Sequence, residues 1–217
     1  MSEDRDAERR RLLAAIVPHV AFDGWTHQAL KAGFADEGRE AWEVRRYFPG
    51  GPGDALALFS AEADRLMLEA LGRLDLSAMK VRDRVARAVR LRLEAMGAHK
   101  EAVRRGAAFF AFPPNAAQGL ACLYRTVDSI WYAAGDRSTD YNYYTKRLLL
   151  AGVYSSTLVF WLNDRSEGGA ASWAFLDRRI DEVMKVGGHL GKTVGRLLDL
   201  PERLVAGMRP RGSMRGR

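Results

Sequence analysis

LACLYRTVDSIWYAAGDRSTDYNYYTKRLLLAGVYSSTLVFWLND, Leu120 to Asp164, decides the fold. It reads as two helices joined by a short polar loop. The first, from Pro114 to Ala134, sets Leu120, Leu123, Tyr124, Val127, Ile130, Trp131 and Ala134 on one face at spacings of three and four. Gly135 stops it, and Asp136-Arg137-Ser138-Thr139-Asp140 offers side chains that cap the N–H groups of a following helix. The second helix carries Leu148 to Leu162, fifteen residues without a charge, bounded by Arg147 and Asp164. Spanning a bilayer takes about 20 apolar residues, so this run is too short. A helix apolar on nearly every side is normally buried on several. Residues 148–162 are therefore predicted as the central helix of an all-α core.

Working outward, no segment shows the period-two alternation of a strand. About ten helices are expected, broken at Gly24, Pro49 to Gly53, Leu74 to Ser77, Gly97, Pro113-Pro114, Gly135, Gly168-Gly169 and Gly187-Gly188. Residues 1–50 read as a three-helix head, with Leu12, Leu13, Ile16 and Val20 as one stripe and Arg39 to Phe48 as the third helix. Residues 51–186 read as the helical body. Its inward stripes are Leu56, Phe59, Ala63, Leu66, Met67, Ala70 and Leu74, then Val81, Val85, Ala88, Val89 and Leu93, then Trp173, Leu176, Ile180, Val183 and Met184. Arg82, Arg84, Arg87, Arg90 and Arg92 spread around the rest of their helix, the pattern of a solvated face. Phe109, Phe110 and Phe112 pack a helix end or line a ligand mouth; end packing is the simpler reading.

Two stretches carry the resemblance. DRSTDYNYYTKRLLLAGVYSST, followed by Trp173-Ala174-Phe175-Leu176-Asp177-Arg178-Arg179-Ile180-Asp181, resembles a coenzyme Q (ubiquinone) biosynthesis accessory family over residues 125–186. The resemblance implies a lipid-binding protein with a fold like the TetR regulators, assisting quinone-ring hydroxylation. The order Gly24-Trp25-Thr26, Ala32-Gly33-Phe34, Tyr47-Phe48-Pro49 and Ala55-Leu56 is similar to the helix-turn-helix head of such regulators. A head that binds DNA needs phosphate contacts and a helix that reaches base edges. This one holds eight Lys/Arg against nine Asp/Glu, and its third helix mixes Glu40, Trp42 and Glu43 with Arg45 and Arg46. Non-specific affinity comes mainly from neutralising phosphates, so no nucleic-acid partner is expected and the helix-turn-helix is read as degenerate.

The net charge of +7 is concentrated at the far end: residues 187–217 hold seven Lys/Arg and two Asp/Glu. There Leu190, Val194, Leu197, Leu198, Pro201, Leu204, Val205 and Met208 fall on one helical face, with Lys192, Arg196, Asp199 and Arg203 opposite. Gly188, Gly191 and Gly195 each cost a helix about 1 kcal/mol against alanine, so the segment needs a partner surface. A basic amphipathic helix of this kind suits an anionic membrane surface, with Leu190, Val194, Leu197, Leu198, Leu204 and Val205 inserting. Packing on its own domain or on a second copy is the other reading. The acids at the start of the chain argue against a transit peptide and the early charges against a secretory signal. The expected location is that of a bacterial member: cytoplasmic, and peripheral on the inner face of the cytoplasmic membrane.

Catalytic chemistry is not legible. His19, His27, His99 and His189 have no ligand spacing, and neither Cys-x-x-Cys nor His-Glu-x-x-His occurs. Cys122, the single cysteine, sits on an apolar face and reads as a packed thiol. Asp136, Asp140, Asp164 and Glu167 lie near helix ends and read as caps. The chain is expected not to be an enzyme by itself, to bind no metal and to use no cofactor beyond a held lipid or isoprenoid quinone. The lipid would lie against Leu120, Tyr124, Val127, Trp131, Tyr154, Leu158 and Trp161, since adjacent helices with this much aromatic surface either fill a core or line a cavity. Asp140, Tyr143, Tyr144 and Arg147 share one helical face and form the expected docking patch for a partner hydroxylase, provided Tyr141 and Leu148 turn inward. Tyr144 as core and Arg147 as a snorkelling residue is the competing reading. A homodimer is expected, and a ligand-responsive regulator of TetR type is the alternative function.

Overall fold

The computed structural model describes residues 2–135 and 141–198, with side chains for residues 4–135 and 144–185. The described residues are all-α, with nine α-helices and no strand. In the head, α1 (Ser2–Asp23) and α2 (His27–Asp36) pack so closely that a Cβ on Gly33 would lie 2.6 Å from Ile16 Cα. That approach buries Leu12, Ile16, Val20, Leu30 and Phe34 completely. Thr26 caps α2, its Oγ1 accepting from Ala29 N at 3.3 Å.

The third head helix is far shorter than the expected span from Arg39 to Phe48. Gly38 takes a left-handed φ of 66° and Glu40 is extended, so the chain begins with one tight turn, Ala41–Glu43. Only Val44–Tyr47, α3, is α-helical. Phe48 leaves the helix because it precedes Pro49, whose ring disfavours the α conformation in its neighbour. Phe48 and Tyr47 then pack on Phe34, at ring separations of 6.2 and 6.1 Å.

The body begins at α4 (Pro52–Gly72), with proline at the helix start where its missing N–H costs nothing. It packs on α5 (Val81–Ala95) and α7 (Ala116–Ala133). Between them α6 (Lys100–Ala111) ties head to body, since Trp25 Nε1 donates to Ala102 O at 3.0 Å. Leu66, Leu74, Val81 and Met184, expected inward, are exposed.

The predicted hairpin is present as α7 and α8 (Tyr141–Asn163). However, α8 is not buried all round. Leu150, Val153, Tyr154, Thr157, Trp161 and Leu162 face inward, whereas Leu148 and Val159 face out and leave an apolar stripe. Asp164 caps the next helix, as expected, accepting from Ser166 N at 2.8 Å, Ser172 N at 2.9 Å and Ser172 Oγ at 2.5 Å. The Ser172 hydroxyl and then the Ser166 donors hold its carboxyl well below the usual carboxylate range. Gly168 and Gly169 make the turn at positive φ. The expected break at Gly187-Gly188 does not occur. Instead α9 (Ala170–Leu198) runs through both glycines, because glycine weakens a helix without forbidding it.

Candidate lipid-binding cavity

Five helices, α4 to α8, line a solvent-open cavity of about 430 Å³. That volume lies in the range of small-molecule sites. Leu56 and Phe59 come from α4, Met96 follows α5, Val103, Gly106 and Phe110 come from α6, Leu120, Cys122 and Leu123 from α7, and Tyr154 and Leu158 from α8. A larger groove of about 750 Å³ runs between the end of α8 and the start of α9, beside stacked Phe160 and Phe175. It is open along its length. An apolar ligand gains by leaving water, so the cavity among α4 to α8, the less open of the two and mainly apolar, is the better seat.

One wall is polar. Arg92 is buried and donates from Nε to Asp64 Oδ1 at 2.6 Å, from Nη2 to Ser60 Oγ at 3.0 Å, and from Nη1 to Tyr154 Oη. Asp64, also buried, accepts from Thr126 Oγ1 at 2.9 Å and from Arg125 Nε at 3.2 Å. Burial pushes the Tyr154 phenol above its ordinary value against the pull of Arg92, so it stays neutral. Burial likewise raises the Cys122 thiol, opposed by Arg125, and a protonated buried thiol is a packing group.

Of the seven residues expected at the lipid site, Leu120, Tyr154 and Leu158 line this cavity. Leu120 is exposed at its edge. The other four do not line it. Tyr124 points outward, and Val127 is buried in the core. Trp131 closes the hairpin by donating to Lys146 O at 3.1 Å. Trp161 is buried with Lys100 Nζ 4.5 Å over its ring. Sequence reasoning missed Arg92, Ser60 and Thr126. Arg92, expected on a solvated face, lies seven residues after buried Val85, and that spacing was the available signal. Of the three phenylalanines, Phe110 lines the cavity, while Phe112 is exposed.

The expected docking patch divides. Arg147 is buried, its Nη2 paired with Asp128 Oδ1 at 2.6 Å, so it faces α7. Tyr144 is exposed, and Leu148, expected inward, is 75% exposed. Tyr132 at the end of α7 is also exposed. Asp140 and the side chain of Tyr143 lie outside the described residues, as do the side chains of Leu190, Val194, Leu197 and Leu198 and the whole of Leu204 and Val205. Among the described residues, no group of three or more His, Cys, Asp or Glu is placed to hold a metal ion, and no helix is long and apolar enough to cross a membrane.

A family model described as COQ9 matches residues 116–187, the α7–α9 segment that carries half the cavity. The Ubiquinone biosynthesis protein COQ9, mitochondrial, of Rattus norvegicus is 30% identical over 217 residues, covering 95% of this chain and 68% of its own length. The chain belongs to the COQ9 family. The Drosophila melanogaster COQ9 is 34% identical over 194 residues, 88% of this chain, and the chain spans 59% of that relative's length. The TetR transcriptional regulator from Nitrosomonas europaea has the same fold, with a TM-score of 0.67 at 19% identity, covering 82% of this chain and 98% of its own.

Within this COQ9-family fold the buried pair of Arg92 and Asp64 makes a direct prediction. Asp64→Leu leaves a guanidinium buried without its carboxylate and should cost about 3–5 kcal/mol, read as a lower urea midpoint. Asp64→Leu combined with Arg92→Met should recover most of that loss. Equal midpoints for the single and double variants would show that the pair is not the element at stake.

Proposed function

We propose that the chain is an accessory lipid-binding protein of ubiquinone biosynthesis. It sequesters an isoprenoid quinone intermediate and presents it to a membrane-associated hydroxylase, without catalysing a step itself. The observation that carries this reading is the mainly apolar cavity among α4 to α8 in a chain of the COQ9 family. A polyprenyl tail in water is penalised in proportion to its exposed area, so a protein that shields part of it makes the lipid available for transfer. Native mass spectrometry of the purified protein, followed by organic extraction, should release a prenylated lipid. Leu158→Arg puts a charge into the cavity and should abolish that lipid while circular dichroism stays unchanged. Retention of the lipid by a folded Leu158→Arg protein would move the site elsewhere.

A TetR-type regulator remains the rival, and the head speaks against it. Arg39 is paired with Glu8 and Glu43, and Arg11 with Glu37 at 2.5 Å, so these cations are already engaged within the protein. A sequence-dependent footprint on duplex DNA at physiological salt would favour the regulator.

The hydroxylase contact is proposed on Tyr132, Tyr144 and Leu148, the exposed apolar and aromatic residues around the hairpin corner. Aromatic anchors of this kind carry binding energy at interfaces. Tyr144→Ala with Leu148→Ala should weaken a measured complex by at least roughly tenfold, about 1.4 kcal/mol, at unchanged melting temperature. Arg147→Glu is unsuited to this test, because it would set a second carboxylate against Asp128. Exposed Val159, three turns further along α8 and away from that corner, supports a homodimer through the end of the helix.

Membrane contact is proposed for the basic segment 187–217, peripheral on the inner face of the cytoplasmic membrane. Each basic residue near an anionic surface contributes about 1 kcal/mol. A protein truncated after Gly188 should no longer float with vesicles containing phosphatidylglycerol. Undiminished flotation would place the contact on another surface.

A further inference from the structure

The cavity has a polar side and an apolar side, and the two do not offer the same thing to a ligand. On the polar side, each nitrogen of the Arg92 guanidinium is engaged within the protein. Nε meets Asp64, Nη1 meets Tyr154 Oη and Met96 Sδ, and Nη2 meets the backbone oxygen and hydroxyl of Ser60. Its charge is compensated by Asp64 at 2.6 Å. An anionic head entering here would meet a guanidinium whose donors are all taken and a buried carboxylate beside it, the other oxygen of which is held by half-exposed Arg125. Phosphate and carboxylate recognition relies on a guanidinium fork free to clamp, and this fork is occupied.

Tyr154 is placed differently. Its oxygen accepts from Arg92 Nη1, and a neutral phenol that accepts one hydrogen bond still has its own O–H to give. The side chain lines the cavity from α8. Arg92 polarises this hydroxyl, since a phenol that accepts from a cation becomes a stronger donor. Phe110, Leu123 and, one turn along α8 from Tyr154, Leu158 line the rest with apolar side chains, and Leu120 lies at the exposed edge.

We infer that the cavity takes its ligand head first: a neutral ring whose carbonyl or ether oxygen accepts a hydrogen bond from Tyr154 Oη, with the aliphatic tail leaving past Leu120. This rests on the lipid-binding reading above and adds to it the polarity, charge and orientation of the ligand. A head without an acceptor would strand the phenol hydroxyl in a dry site. A charged head would carry a desolvation cost that the occupied Arg92 fork does not repay.

Three probes of similar chain length separate the possibilities: decylbenzoquinone, decylbenzene and dodecanoate. Their affinities are measured by displacement of an environment-sensitive apolar dye from the full chain. The wild-type protein should bind decylbenzoquinone about three- to tenfold more tightly than decylbenzene, the worth of one neutral hydrogen bond. Tyr154→Phe should erase that preference and leave decylbenzene affinity unchanged. Dodecanoate should bind no better than decylbenzene. A second readout needs no variant: the carbonyl stretch of decylbenzoquinone bound to the wild-type protein should lie below its value in hexane.

A quinone preference that survives Tyr154→Phe, or an unshifted carbonyl stretch, would overturn the assignment of Tyr154. Tightest binding of dodecanoate would overturn the neutral head. Binding of all three probes with equal affinity would leave the lipid-binding reading standing and overturn only this inference. Binding of none would remove both.

Discussion

The buried ion pair of Arg92 and Asp64 is the constraint that the body depends on. It draws α4, α5, α7 and α8 to one point, through Asp64 and Ser60, Arg92, Thr126 and Tyr154 in turn. Such a pair is a poor source of net stability, because desolvating two charges consumes most of what their attraction returns. Its effect is to fix relative position. Four helices that met only through apolar side chains could slide or rotate against one another at small cost. With a charge and its partners buried among them, any shift that separates Arg92 from Asp64 exposes an unpaired ion to a dry interior. The cavity is thereby held open along a wall that cannot collapse into oil-like packing.

The head is built on the opposite principle. It has Gly33 pressed onto the Ile16 backbone, a fully buried Phe34, and cations such as Arg39 and Arg11 spent on internal acids. Trp25 fastens this unit to α6 through a single buried hydrogen bond. Since α6 is also a cavity wall, head and body share an element rather than meeting across a linker. The arrangement is TetR-like, with a third head helix of the four residues Val44–Tyr47.

Much of the fold was legible because it follows from local rules. Proline and glycine placed the breaks at Gly24, Pro113-Pro114, Gly135 and Gly168-Gly169, and the Leu120 to Asp164 stretch gave away the α7–α8 hairpin. The failures share a cause. Helical spacing tells which residues lie together but not which way the helix turns in its site. Leu148 and Val159 look like core by composition and are exposed, while Arg147 looks like surface and is buried against Asp128. Arg92 was hidden among four arginines of its own helix, and only its register with Val85 marked it. Its partners Asp64 and Ser60 lie 28 and 32 positions from it, and Thr126 lies 62 from Asp64, so no local pattern announces them. The continuation of α9 through Gly187-Gly188 shows the same limit, since glycine lowers helix propensity by an amount that a long helix absorbs.

The size of the cavity also sets how far a guest could be carried. About 430 Å³ accommodates a ring and a short length of chain, so the remainder of a long polyprenyl tail stays outside. Each methylene left in water costs about 0.8 kcal/mol. Ten of them come to roughly 8 kcal/mol, about six orders of magnitude in partitioning. A loaded protein beside a bilayer would therefore return its guest to that apolar phase, whereas one purified away from lipid has no such phase to return it to. On the lipid-binding reading proposed above, geometry of this kind suits a lever more than a ferry: the ring would be lifted clear of the bilayer while the tail stayed moored there, a travel measured in ångströms.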